Sequence, residues 1–222
     1  MTRVHVVVEG QTEVSFVNQV LAPALWARQV FLRPILLGVH GHKGGRVTYA
    51  RVRHDVMVRL KQDSAVYITT MLDFYGLGKD FPGTPLPPNL SNLGNATCIE
   101  QAVKQDIIAE APTLRAEVRF LPYLQLHEFE GLLFSDPAGF AQGIDQSNLA
   151  SQFQSIREGF PTPEDIDDSP DTAPSKRVLR LCPSYRKVLN GMQAAMAVGI
   201  DAMRRECPHF RNWLDRLEEL GV

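Results

Sequence analysis

A chain of 222 residues, 44% hydrophobic and 22% charged, is long enough to bury a full core as one generous domain, or as one domain with a smaller lobe. This composition excludes a fibrous repeat or a largely disordered chain. A formal net charge of −2 excludes a protein that coats nucleic acid by bulk charge. No run approaches the roughly 18 apolar residues of a membrane span, and Met1-Thr2-Arg3 leads into a strand-like stretch without a secretory signal profile, so a cytoplasmic protein with no membrane partner is expected.

Residues 3–8 are a β-branched run that stops at Glu9-Gly10, and Thr12 then opens an amphipathic helix carrying Val14, Phe16, Val17, Val20, Leu21 and Leu25. A second apolar run over 31–39 closes in the loop His40-Gly41-His42-Lys43-Gly44-Gly45, and a basic helix is expected over 47–60. Residues 65–72 form a nearly all-apolar strand of the kind buried on both faces of a parallel sheet, delivering Asp73 at its end. A long Gly- and Pro-bearing loop over 74–95 follows, then a helix over 95–110 and a fourth strand over 116–124. Beyond Asp136 the pattern is helical and irregular: 146–158, an acidic segment over 161–174, a short basic turn at 175–180, then 185–206 and 212–220. Strands alternating with helices predict an α/β fold, a mostly parallel sheet flanked by helices over residues 1–136, with a helical C-terminal extension over 137–222 packed on it. Cys98, Cys182 and Cys207 are odd in number and far apart, which predicts reduced thiols in or near the core.

In an open parallel sheet, ligands bind at the carboxyl ends of the strands. The residues at those ends are mostly acids: Glu9 with Glu13 one turn later, Asp73, and then His127, Glu128 and Glu130. Gathered carboxylates repel one another unless a hard cation neutralises them, which points to Mg2+ or Mn2+. Phosphodiester cleavage uses such an ion to polarise the phosphoryl group and to produce a nucleophile. Glu9, Asp73 and one or both of Glu128 and Glu130 could hold it, Glu130 being favoured as the inward-pointing residue of the pair. Lys176 and Arg177 could cover phosphate oxygens, and His127 could act as general acid or base. Bases cluster at Lys43, Arg46, Arg51, Arg53, Arg59 and Lys61, and again at Lys176, Arg177, Arg180, Arg186 and Lys187. Lys43 and Arg46, with Lys176 and Arg177, are the candidate contacts to nucleic acid, whereas the five acids of Glu164, Asp165, Asp167, Asp168 and Asp171 would repel it.

Glu9-Gly10-Gln11-Thr12-Glu13 after Val6-Val7-Val8 resembles the strand-end glutamate motif of the Toprim domain of topoisomerases, bacterial primases and overcoming-lysogenization-defect nucleases. Met71-Leu72-Asp73-Phe74-Tyr75 stands where that domain carries an Asp-x-Asp pair. The chain further resembles a family of small bacterial Toprim-like proteins through His127-Glu128-Phe129-Glu130-Gly131-Leu132-Leu133-Phe134, Thr172-Ala173-Pro174-Ser175-Lys176-Arg177 and Cys207-Pro208-His209-Phe210, motifs that mark the family rather than an activity. The resemblance spans nearly the whole chain and implies a Toprim-like, Rossmann-like core. It also implies Glu9 as acid/base or metal ligand, Asp73 as principal metal ligand, and nuclease activity on nucleic acid, DNA ahead of RNA. A partner ATPase in genome or phage defence is implied as well. Tyr75 occupies the position of the second aspartate, so Asp80, Glu128 or Glu130 must replace that ligand. If none does, the chain is a catalytically weak module that binds nucleic acid or a nucleotide. A third reading makes Asp73 a phospho-acceptor, as in receiver-like or phosphatase-like domains.

Overall fold

The computed structural model describes residues 1–39, 42–43, 47–166 and 172–221. Its strands are β1 (Thr2–Val8), β2 (Val30–Leu36), a small ribbon of β3 (Gly38–Val39) and β4 (His42–Lys43), β5 (Val66–Asp73), β6 (Phe120–Leu121) and β7 (Leu124–Gln125). The helices are α1 (Gln11–Phe16), α2 (Ala22–Leu25), α3 (Tyr49–Gln62), α4 (Asn92–Glu110), α5 (Ala116–Arg119), α6 (Glu130–Leu133), α7 (Pro137–Gly143), α8 (Ala150–Glu158), α9 (Pro174–Leu181), α10 (Lys187–Val198), α11 (Ile200–Glu206) and α12 (Pro208–Glu218).

The main sheet runs β2-β1-β5-β6, with β7 continuing beside β5, and every pairing in it is parallel. The fold is therefore α/β and Rossmann-like, with a helical C-terminal region. Parallel strands covered on both faces call for nearly continuous apolar runs, which Val6–Val8 of β1 and most of Val66–Leu72 of β5 supply, the buried Thr69 and Thr70 hydroxyls being hydrogen-bonded to the Leu121 and Tyr123 carbonyls. Val4, Val6 and Val8 of β1 face one core with α1 and the C-terminal helices, whereas Val7 joins Ile68 and Leu72 of β5 in a second core with α3 and α4. The chain leaves β1 through α1 to β2 on one side, then crosses through α3 on the opposite face to β5 on the other side of β1. The strand order thus reverses between β1 and β5, the topological switch point of this fold class.

Several elements differ from the sequence expectation, each for a local reason. The first helix is continuous from Gln11 to Leu25 but opens into a π-turn over Val17–Leu21, just ahead of Pro23, which has no N–H to return to the preceding turn. The strand expected over 116–124 shrinks to two short pieces. Arg115 enters the left-handed region at φ 55° and starts a helical turn, and the buried Arg119 guanidinium then donates to the carbonyls of Val66, Leu60, Leu114 and Asp63. Pro122, without an N–H, separates the two pieces. The helix expected over 185–206 breaks into α10 and α11 at Gly199, whose φ of 76° only glycine adopts without strain. The basic turn at 175–180 is instead the eight-residue helix α9, begun by Pro174 at its first position. Cys98, Cys182 and Cys207 are free thiols, the latter two buried.

The C-terminal helices are tied to the sheet by buried polar contacts. Trp213 stacks on Tyr123 at 4.2 Å between ring centroids and donates its indole N–H to Thr69 of β5. Glu164 is buried and accepts the backbone N–H groups of His209 (2.8 Å) and Phe210 (2.9 Å), so it caps α12 immediately after Pro208. Removing that carboxylate leaves two donors without their acceptor. Glu164→Ala is therefore expected to lower stability by about 1–3 kcal/mol, and Glu164→Gln by less, in urea unfolding followed by circular dichroism. A loss below 0.5 kcal/mol for the alanine variant would show that water takes over the cap.

Candidate functional site

The switch point places the end of β1 beside the end of β5. Val8 pairs with Met71, so Glu9 emerges next to the last residues of β5, of which Asp73 is the final one. Glu9 lies across the turn Phe74–Gly76: a Cβ on Gly76 would stand 3.4 Å from Glu9 Oε2, in van der Waals contact with the carboxylate. The turn Glu9-Gly10 is closed by Glu13, whose Oε2 accepts the Gly10 N–H at 2.9 Å at the start of α1. Asp73 Oδ1 accepts the Phe129 N–H at 3.1 Å, drawing the His127–Glu130 segment over the same strand ends. Glu130, the first residue of α6, is completely buried.

Lys187, the first residue of α10, reaches into this group of acids. Its Nζ lies 3.3 Å from Asp73 Oδ2 and 3.2 Å from Glu130 Oε2. Burial pushes Glu13 and Glu130 each up to about 7, and neighbouring carboxylates, Asp73 foremost, add to both shifts, while Lys187 opposes them. Glu9 and Asp73 are also raised, first by burial, with Asp73 acting on Glu9 and Glu128 acting on Asp73. Lys187 is held far above the ordinary lysine range, its desolvation outweighed by Asp73, Glu130, Glu13 and Glu128. Five carboxylates thus act on one ammonium. Satisfaction of the group is incomplete: Glu9 Oε2 is buried with no hydrogen-bond partner, and Glu130 Oε2 has the ammonium beside it but no well-directed hydrogen bond. Tyr185 O–H reaches Glu130 Oε1 only at 3.5 Å.

The other expected residues divide into those brought to this site and those placed elsewhere. His127 is buried at its edge in the left-handed region, φ 61°, a backbone strain of about 1–3 kcal/mol. Its Nε2 is 3.3 Å from Asn92 Nδ2 at the start of α4, and its ring lies 6.5 Å from that of the exposed Tyr75. Glu128 also borders the group but accepts the Ser175 N–H at 2.9 Å, capping α9. Asp80 accepts the Tyr49 N–H at 2.8 Å and so serves the start of α3. On α9, Lys176 is exposed, while Arg177 donates to the Thr172 carbonyl and stands 5.0 Å over the Phe160 ring. Arg53 of the basic helix is ion-paired with Asp106 and Glu110 of α4. Arg46 and the side chain of Lys43 lie outside the described residues, as do Asp167, Asp168 and Asp171.

Lys187 and Asn92 are the residues that sequence reasoning did not place here. Lys187 stands in one of the basic runs, yet it is 114 residues from Asp73, and no local spacing connects the two. The demand for a cation was legible in the strand-end acids; its internal source was not.

The donor set suits a hard divalent cation. It consists of carboxylate oxygens on three separate chain segments, and Glu9 Oε2 is a buried lone-pair donor with no partner. No group of three His, Cys, Asp or Glu side chains among the described residues is already arranged to hold a metal. With Oδ1 of Asp73 on Phe129 and Oδ2 on Lys187, the principal expected ligand is occupied from within.

The raised carboxyl values have a consequence for stability. A glutamate whose pKa is higher in the folded than in the unfolded state binds more protons when folded. Its favourable contribution is complete below about 4.5 and disappears as pH rises through about 7. Without divalent ions, Tm is expected to fall between pH 5 and pH 8. Glu13→Gln, which keeps an acceptor for Gly10, is expected to flatten that fall by up to about 3 kcal/mol when scanning calorimetry follows both proteins. An unchanged slope in the variant would place the proton elsewhere.

A family model described as a domain of unknown function (DUF4276) matches residues 8–218. No curated protein and no solved structure matches the chain. The match runs from the last residue of β1 to the end of α12 and takes in every carboxylate of the site together with Lys187, so the chain belongs to the DUF4276 family.

Proposed function

We propose that the chain is a divalent-metal-dependent phosphodiesterase acting on nucleic acid, DNA ahead of RNA. The observation that supports this reading most is the convergence of Glu9, Glu13, Asp73, Glu128 and Glu130 at the switch point, with Glu9 Oε2 buried and unpartnered. Glu9, Asp73 and Glu130 would hold Mg2+ or Mn2+, which supplies a Lewis acid and a nucleophilic hydroxide when bound. The chain's own residues supply the rest. Phe129 N–H orients Asp73, Gly10 N–H orients Glu13, and Asn92 orients the His127 ring for proton transfer at the edge of the site. With Asn92 Nδ2 as donor, Nε2 of His127 is the acceptor. The Toprim resemblance of the Glu9 and Asp73 motifs supports the same chemistry and extends it to work beside an ATPase in defence against phage or foreign DNA.

A second reading, a Toprim-like module that binds nucleic acid or a nucleotide without cleaving it, is favoured by Tyr75, which is exposed and carries no carboxylate where the second aspartate would stand. Plasmid nicking with Mg2+ or Mn2+ separates the two. Wild type is expected to nick, and Asp73→Asn to lose at least about 100-fold, the several kcal/mol of charge stabilisation a metal supplies. Undiminished nicking in Asp73→Asn would dismiss the site, whereas absence of nicking with retained DNA binding by wild type would establish the module.

A further inference from the structure

We propose that Lys187 is an internal cation that occupies the carboxylate site in the metal-free protein and gives way when a divalent ion binds. The inference rests on the metal-site reading above and adds how that site is held closed and opened.

Two observations carry it, the position of the ammonium and the groove beside it. The ammonium stands between Asp73 and Glu130, at 3.3 and 3.2 Å, and takes up the Asp73 oxygen that Phe129 leaves free. A cation coordinated at 2.0–2.1 Å by the same oxygens cannot share them with an ammonium within hydrogen-bonding distance, because the two positive charges would meet at close range in a poorly solvated site.

The lysine also has somewhere to go. Its side chain is 38% exposed, although the acids it touches are nearly or wholly buried. It forms part of the wall of an open groove of about 580 Å³ between the first helix and α10, along with Ser15, Gln19, Met192 and Gln193. The flexible stem can therefore turn from the acids into the groove, lying along Met192 while its ammonium meets water, Ser15, Gln19 and Gln193. No covalent step is involved: one ammonium leaves two carboxylates and one divalent ion takes its place.

Titration calorimetry with MnCl2 on the full chain tests this, comparing wild type with Lys187→Gln, Lys187→Met and Lys187→Arg, each checked for folding by circular dichroism. Removing the charge is expected to tighten Mn2+ binding at least about tenfold in both neutral variants, while Lys187→Arg stays within about threefold of wild type. Crystals of wild type soaked in Mn2+ are expected to show the ion on Asp73 and Nζ of Lys187 beyond hydrogen-bonding reach of Asp73 and Glu130. Equal affinity in all four proteins, or an ion bound with Lys187 still on both carboxylates, overturns the exchange and leaves the metal site standing. Absence of Mn2+ binding in every protein overturns the exchange and the metal site together.

Discussion

Like charges gathered at one end of a parallel sheet are the constraint on which this molecule turns. The switch point sets the ends of β1 and β5 side by side, and the sequence places a carboxylate at each, with Glu130 drawn in from α6. In a poorly solvated site these groups repel, and two of them respond by titrating near neutrality. Lys187 is the opposing charge. Because it is the first residue of α10, the ion pairs that hold it also hold the end of α10 against the strand ends. The C-terminal helices thus complete one layer of the core and at the same time bring a cation to the acids at the strand ends.

Buried and half-buried acids play different parts in the fold, and their partners separate them. Glu164 accepts two backbone N–H groups at the start of α12, Glu128 accepts one at the start of α9, and Glu100 accepts the Leu124 N–H while pairing with His209 at 2.9 Å. Each of these ties a helix to a segment far away in sequence and satisfies its lone pairs with fixed donors, as a buried acceptor should. Glu9 and Glu130 behave otherwise: each keeps a buried oxygen without a proper hydrogen bond. A buried lone pair left in that state costs free energy, which sets these two acids apart from the three that satisfy backbone donors.

Much of this was legible in the sequence because it is local. The β-branched run before Glu9 and the apolar run before Asp73 announce strands buried on both faces, and a strand's last residue is fixed by where its apolar pattern stops. The pair Glu128 and Glu130 was ambiguous by spacing alone. The turn into α6 resolves it, sending Glu130 to the acids and Glu128 to α9. Local pattern failed where a single long-range contact decides the conformation. Residues 116–119 read as strand, but the Arg119 guanidinium finds the carbonyl oxygens of Leu60, Asp63, Val66 and Leu114 and holds a helical turn instead. Lys187 failed for the same reason, since its partners are fixed by tertiary packing and not by spacing.

Tyr75 and Lys187 both bear on the charge balance at the end of β5. Five carboxylates against one ammonium leave a formal excess of four negative charges. At neutral pH the protons held by Glu13 and Glu130, which titrate at about 7, remove roughly one of these. A further aspartate at position 75 would add one negative charge at the end of β5. Tyr75 instead carries no charge and turns outward, 41% exposed. The tyrosine and the lysine therefore act in the same direction, both lowering the negative charge at the end of β5. That reduction lets the acids remain together in the folded protein with only an internal cation between them, while Glu9 keeps an oxygen unengaged.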